Sequence, residues 1–320
     1  MSTAAQHETA SAAAATAGAP RDETPLRLPV AGGEVVGTLW HADASGTPVV
    51  AIHGITANHR SFSPLATRLS APLLAIDLRG RGASRSLPAP FGLEQHAEDV
   101  AAAMRSAGIE RAIVVGHSMG GFVAVRLAHA HPELVASLVL VDGGVPLRPS
   151  GDDASPETLL GPAIERLRMT FASGDAYRDF WREHPAFGPY WSAAIEEYVD
   201  YDLVDVAEPG EPAQMRPSAN PDAVVTNLVE LDGRGGYAEA LESLPVPMTL
   251  LRSPRGLFDE VPPLYDDEWL ATWTSRLPAL ETTDVEHTNH YTILMGAGVD
   301  AVAETVIRLQ SAPAGQKEAR

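Results

Sequence analysis

The sequence predicts an α/β protein: a mostly parallel sheet of eight strands, helices on both faces, and an inserted helical lobe. Three observations carry this prediction. Short β-branched runs alternate with helical patterns from about residue 26 to residue 310, and parallel neighbours need such crossover helices. The alternation stops between about Gly143 and Gly236, a gap too long to be a loop. The same stretch holds nine of the nineteen aromatic residues, which fits a lobe with its own apolar face.

The elements follow in order. Leu26–Val30 and Glu34–Trp40 read as a hairpin around Gly32-Gly33. Pro48–Ile52 is a buried-looking strand ending at His53-Gly54. Ser61–Leu69 reads as a helix, capped by Ser61 with Pro64 in its first turn. Leu73–Leu78 is the next strand. Leu93, Ala97, Val100, Ala101 and Met104 recur at helical spacing, and Gly108 ends that helix. Ala112–Val115, a helix over Met119–His129, and the strand Leu138–Val141 complete the first half. The lobe carries helical patterns over Thr158–Ala172, Ala176–Glu183, Trp191–Val199 and Pro221–Leu231. Strands over Met248–Leu251 and Thr283–Val285 flank a helix over Pro263–Leu277. A last helix shows the stripe Val299, Val302, Val306 and Leu309.

This divides the chain into a core of residues 25–142 and 237–310, a helical cap of residues 143–236, and two tails, 1–24 and 311–320, with nothing to bury. The first tail lacks the basic and apolar regions of a signal peptide, so a cytoplasmic location is the expectation. The chain has 320 residues and a formal charge of −19, which argues against nucleic acid and anionic membranes as partners. No apolar run approaches the roughly 20 residues that span a bilayer. Cysteine is absent, which excludes disulfides, thiolate metal sites and a cysteine nucleophile. No metal-ligand cluster and no dinucleotide fingerprint is present, so no cofactor is expected. The partner is a small-molecule substrate, with homo-oligomerisation left open.

The chemistry centres on Gly116-His117-Ser118-Met119-Gly120. A strand precedes it directly and a helix follows at once, so Ser118 sits on a tight turn at the carboxyl end of the sheet. The helix N-terminus favours the negative charge that develops in acyl transfer. The serine needs a base. His290, on the loop after the last strand, lies at the same edge of the sheet; His287 is its competitor. His117 reads as structural. Trp181 and Trp191 in the lobe are candidate substrate-binding rings.

Over roughly residues 26–310 the chain resembles the α/β-hydrolase superfamily. The resemblance rests on His53-Gly54-Ile55, Asp77–Ser84 with its glycine-rich turn, Gly116–Gly120 and Asn289-His290. It implies an α/β-hydrolase fold with the cap inserted after the sixth strand, and a nucleophile–acid–histidine order. It also implies an oxyanion hole from the N–H groups of Ile55 and Met119, and a structural part for Asp77. The acid departs from the family pattern. Relatives usually carry it in a turn after the seventh strand, where Gly256 occupies the expected register. Asp259 fits with a short insertion and is taken as the acid. Asp142, after the sixth strand, is the alternative, followed by Glu260, Asp266 and Asp267. The expected activity is hydrolysis of a carboxylic ester or lactone of a mid-sized apolar substrate. A carbon–carbon bond hydrolase, a cofactor-free perhydrolase and a ligand-binding receptor of the same fold are the competing possibilities.

Overall fold

The computed structural model describes residues 22–149, 163–208 and 210–311. Eight strands form one sheet. They are β1 (Glu23–Val30), β2 (Gly33–Trp40), β3 (Val49–Ile52), β4 (Leu73–Ile76), β5 (Ala112–His117), β6 (Val135–Val141), β9 (Met248–Arg252) and β10 (Leu280–Asp284). Their order across the sheet is β1-β2-β4-β3-β5-β6-β9-β10. Pairs β1–β2 and β2–β4 are antiparallel. All the others run parallel. The sheet is the eight-stranded, mostly parallel one expected from the alternation of elements.

Side chains alternate across a strand, and β3 shows what this does here. Val50 and Ile52 pack into one core with Val100, Met104 and Phe122 from the helices Leu93–Ser106 and Met119–Ala130. Val49 and Ala51 pack into the other with Phe62, Leu65, Val302 and Val306, the last two from the helix Val299–Ser311. Both faces of the strand are therefore buried, which is why it reads as an unbroken apolar run rather than an alternating one.

The stretch between β6 and β9 holds helices Gly174–Arg182, Ala193–Tyr201 and Pro221–Leu228, helical residues 163–168, and a small antiparallel pair. The pair is β7 (Leu203–Asp205) with β8 (Met215–Pro217). Tyr177, Trp181, Phe187, Ile195 and Tyr198 form a third apolar cluster there. Met295 and Tyr291 belong to the same cluster and connect it to the chain after β10.

Some boundaries differ from expectation. Glu23 and Thr24 of the expected tail belong to β1, and Asp22 directly precedes it; residues 1–21 lie outside the described ones. Ser311 ends the last helix, and the rest of the second tail, residues 312–320, is likewise outside. The part of the expected helix Thr158–Ala172 that falls on residues 158–162 is also outside. Asn58, not Ser61, caps the segment after β3: its side chain accepts from Arg60 N at 3.0 Å. Among the described residues no helix is long and apolar enough to cross a membrane.

Candidate active site

β5 delivers its last residue, His117, and the chain turns at once into the helix Met119–Ala130. Ser118 takes the turn with φ 53 and ψ −125, a conformation that costs a non-glycine residue and persists only where the surroundings fix it. They do so here. Ser118 N donates to Val141 O at 2.9 Å, and its carbonyl accepts from Gly121 N at 2.9 Å. The glycines allow the close packing: a Cβ on Gly116 or Gly120 would collide with the Gly120 or Ile52 carbonyl, and one on Gly143 with the Ser118 carbonyl. The result is a half-buried serine at the carboxyl end of the central strand.

His290 lies one residue beyond Asn289, whose side-chain oxygen accepts from Tyr291 N and Thr292 N and fixes the turn into the next helix. Ser118 and His290 line the same cavity, of about 510 Å³, a size that suits a small molecule. The imidazole Nδ1 is 2.7 Å from Asp142 Oδ2. A carboxylate only accepts, so Nδ1 carries the proton and Nε2 is left as the basic nitrogen. The second Asp142 oxygen accepts from Ser253 N at 3.1 Å.

The structure thus corrects the expected acid. Asp259 does not reach His290. It accepts from Asn289 Nδ2 at 3.2 Å and pairs with Arg255 at 3.0 Å. The loop after β9 carries it to the residue before the histidine, and no nearer. Three more carboxylates further along the chain are engaged elsewhere. Glu260 accepts from Phe258 N, Asp266 caps the helix Asp267–Arg276, and Asp267 pairs with Arg252. Asp142 stands at φ 44 directly after β6, the place to which the family resemblance pointed as the alternative. His287 is exposed.

Of the expected oxyanion donors, Met119 directly follows the nucleophile and Ile55 lines the same cavity as Ser118. Met119 is the first residue of its helix, where an N–H has no intrahelical partner. Ile55 lines the cavity with Gly54, and its N–H has no hydrogen-bond partner among the described residues. A Cβ on Gly54 would lie 3.1 Å from Ser118 Cβ, so the glycine keeps that side of the serine open. His117 donates from Nε2 to His290 O at 2.7 Å and so ties the nucleophile turn to the base. Burial, then the neighbouring His290, pushes its pKa down to about 3, so the ring is neutral and Nε2 carries the proton.

Of the two tryptophans, Trp181 lines the cavity and is 5% exposed. Trp191 does not line it. Its ring is half-buried against the apolar cluster of the lobe, its Nε1 donates to Glu196 at 3.1 Å, and the Arg182 guanidinium lies 4.8 Å over the ring. Sequence reasoning passed over three cavity-lining cations, Arg148, Arg166 and Arg234, and over His184. Helical periodicity marks which face is apolar but not which charged side chain turns inward. Among the described residues no three acidic or histidine side chains are grouped so as to hold a metal ion.

Residues 47–210, just over half the chain, match the family described as the alpha/beta hydrolase fold. Over 100 residues the chain is 38% identical to 2-(acetamidomethylene)succinate hydrolase of Mesorhizobium japonicum, covering 31% of this chain and 36% of that one. It is 42% identical over 100 residues to lipase LipV of Mycobacterium tuberculosis, covering 31% and 38%. It is 38% identical over 125 residues to a pimeloyl-(acyl-carrier protein) methyl ester esterase of Neisseria meningitidis, covering 38% of each. These matches span little more than a third of the relatives' own length. In three dimensions the chain is similar to E-2-(acetamidomethylene)succinate hydrolase, with a TM-score of 0.69 at 21% identity over 91% of this chain and 100% of that one. It is also similar to a Mycobacterium tuberculosis esterase, at 0.67 and 21% over 91% and 92%; both likenesses speak to the fold. With its strand order, the serine turn after β5 and the match over residues 47–210, the chain belongs to the α/β-hydrolase fold family.

Proposed function

We propose that the chain hydrolyses carboxylic esters, lactones included, through an acyl-enzyme on Ser118. The observation that supports this best is the arrangement of Ser118 and His290 on one cavity, with the imidazole held by Asp142 at 2.7 Å. In this reading Ser118 Oγ bonds to the substrate carbonyl carbon as its proton passes to His290 Nε2. The oxyanion forms against the Ile55 and Met119 N–H groups; one such donor is commonly worth about 10²–10³ in rate. The carbon–oxygen bond to the alcohol then breaks, and the alcohol leaves with the proton from His290. A water gives its proton to His290, attacks the acyl carbon, and the acid departs as Ser118 recovers its proton. Asp142, bonded to Nδ1, holds the imidazole in the tautomer that this requires. The lipase and esterase named among the partial relatives support an ester as the substrate.

Labelling with a fluorophosphonate and steady turnover of a p-nitrophenyl ester test the reading. Wild type is expected to label on Ser118 and turn over repeatedly. Ser118→Ala is expected to keep its fold and lose at least about 10⁴-fold in kcat. Activity in that variant near the wild-type level, or single-turnover binding by wild type, would remove the proposal in favour of a different nucleophile or a receptor.

A further inference from the structure

The acyl-transfer reading gives no part to the charged groups of the same cavity, and one of them is deeply buried. Arg166 lines the cavity with Ser118 and His290, yet it is only 3% exposed. Its Nη1 donates to Tyr177 Oη at 2.6 Å and Asp202 Oδ2 at 3.0 Å. Neither Tyr177 nor Asp202 lines the cavity. Asp202 is itself filled, accepting from Tyr177 on one oxygen and from the Ser218 amide and hydroxyl on the other. The guanidinium also lies 4.9 Å over the Trp181 ring. It is therefore held in place by packing and by a carboxylate outside the cavity. Among the described residues, Nε and Nη2 have no hydrogen-bond partner.

The group is a fixed cation. Burial opposes its charge, but Tyr177 and Asp202 more than offset this and keep it protonated above its ordinary range. Its field reaches across the cavity. Burial first, and then Arg166, lowers the pKa of His184 to about 4. Among the described residues, the charged ones of the lining are Arg148, Arg166, Arg234 and one carboxylate, Asp232. In a chain with a formal charge of −19 this is a local reversal of sign. Arg148 and Arg234 are engaged by Asp266 and Asp232. Arg166 is the buried one of the three, whereas Arg148 and Arg234 are exposed. The Arg166 Nε and Nη2 donors are not sealed from solvent, so a ligand can reach them, and a ligand oxygen pair matches their planar fork.

Resting on the acyl-transfer reading of Ser118, we propose that Arg166 recognises a carboxylate carried by the substrate. The substrate class is then an ester with a free carboxylate at its other end, a half-ester of a dicarboxylic acid. Phe180, Trp181, Tyr198 and Leu228 line the same cavity and suit an apolar chain between the two groups. A monoanion fits better than a phosphate dianion, because the guanidinium has a single charge and shares it with Asp202 at 3.0 Å.

The test compares kcat/KM of the full-length wild-type chain for monomethyl adipate and for methyl hexanoate, which are alike except for the carboxylate. A preference for the half-ester on the order of 10–100-fold is expected, the factor that a charged hydrogen bond confers. The ratio should collapse toward unity in Arg166→Gln and recover in part in Arg166→Lys, which keeps the charge without the fork. Should those variants fail to fold, competition in wild type decides the matter: adipate is expected to compete with methyl hexanoate and neutral adipamide is not. Equal or weaker hydrolysis of the half-ester, with Ser118 still labelled by a fluorophosphonate, overturns the part given to Arg166 alone. Absence of both labelling and ester turnover overturns the acyl-transfer reading beneath it.

Discussion

Two carboxylates stand within reach of the turn that carries His290, and substitution separates them. Where a carboxylate bonds Nδ1, an amide favours the wrong imidazole tautomer, at a cost of about 10⁴ in kcat in a well-studied serine triad. Asp142→Asn is expected to lose a factor of that order, and Asp259→Asn only a small one. Both should keep the wild-type circular dichroism spectrum. Steady-state kinetics on a p-nitrophenyl ester checks this, and the opposite order of losses would return the acid to Asp259. Ser118 was legible because one motif joins a strand to a helix, and His290 because its loop shares that edge of the sheet. The acid was not, since the sequence puts a carboxylate after both β6 and β9, and only the bend of each loop decides which one arrives. Asp142 bends at φ 44 beside Gly143, which lets the chain press against the Ser118 carbonyl. Asp259 bends at φ 61 and delivers its oxygens to Asn289 and Arg255 instead.

At the scale of elements, what could be read depended on length. The helix Leu93–Ser106 and strands such as β3 and β5 leave clear patterns because they bury a whole stripe or a whole run. The pair β7–β8 has three residues in each strand, too few for a period of two to show. The helix Tyr237–Glu242 is a turn and a half after Gly235-Gly236, and the glycines hide it. The aromatics of the lobe were legible as a group but not one by one. Trp181 and Trp191 share one apolar cluster, but only Trp181 lines the cavity. Trp181→Ala removes a ring packed against Tyr177 and Phe187 and bordering the cavity. It is expected to cost about 3–5 kcal/mol of stability and to weaken longer esters more than acetates. Trp191→Ala removes a half-buried ring packed on the apolar cluster and under Arg182 but outside the cavity lining, and should cost about 1–2 kcal/mol, with the same relative activity on all esters. Urea denaturation and kcat/KM across an ester series check both. Equal effects from the two would mean that the cavity ends short of Trp181.

For the molecule as a whole, buried histidines set the response to acid. Burial pushes His53 down to about 4 and His117 to about 3, and lowers His96 as well. In the unfolded chain each binds a proton below about 6.5. From there down to about 4 the unfolded state holds more protons than the folded one, so stability falls with pH, by up to about 1.4 kcal/mol per pH unit for each such histidine. Asp77 adds to this at lower pH. Burial opposes its ionisation, but His59 at 2.8 Å outweighs that and holds the carboxyl near 2. Its contribution is present above the ordinary carboxylate range and lost as pH falls toward 2. The Tyr201 hydroxyl donates to the same carboxylate at 2.7 Å, so acid also strikes a tie between lobe and core. Differential scanning calorimetry is expected to show Tm falling steadily from pH 7 to pH 4. A constant Tm over that range would mean that these histidines already take up protons in the fold.

The position of Asp142 also bears on how such a protein can diverge. In the proposed reaction the nucleophile and its supporting acid come from two neighbouring strands, β5 and β6, whose register is set by the sheet itself. Beyond Ser253, which steadies Asp142, the loop that follows β9 supplies nothing to the chemistry. Yet Leu257, Phe258 and Leu264 from that loop line the cavity. A lineage can lengthen, shorten or rewrite it, altering what the cavity admits while the reacting groups stay where they are.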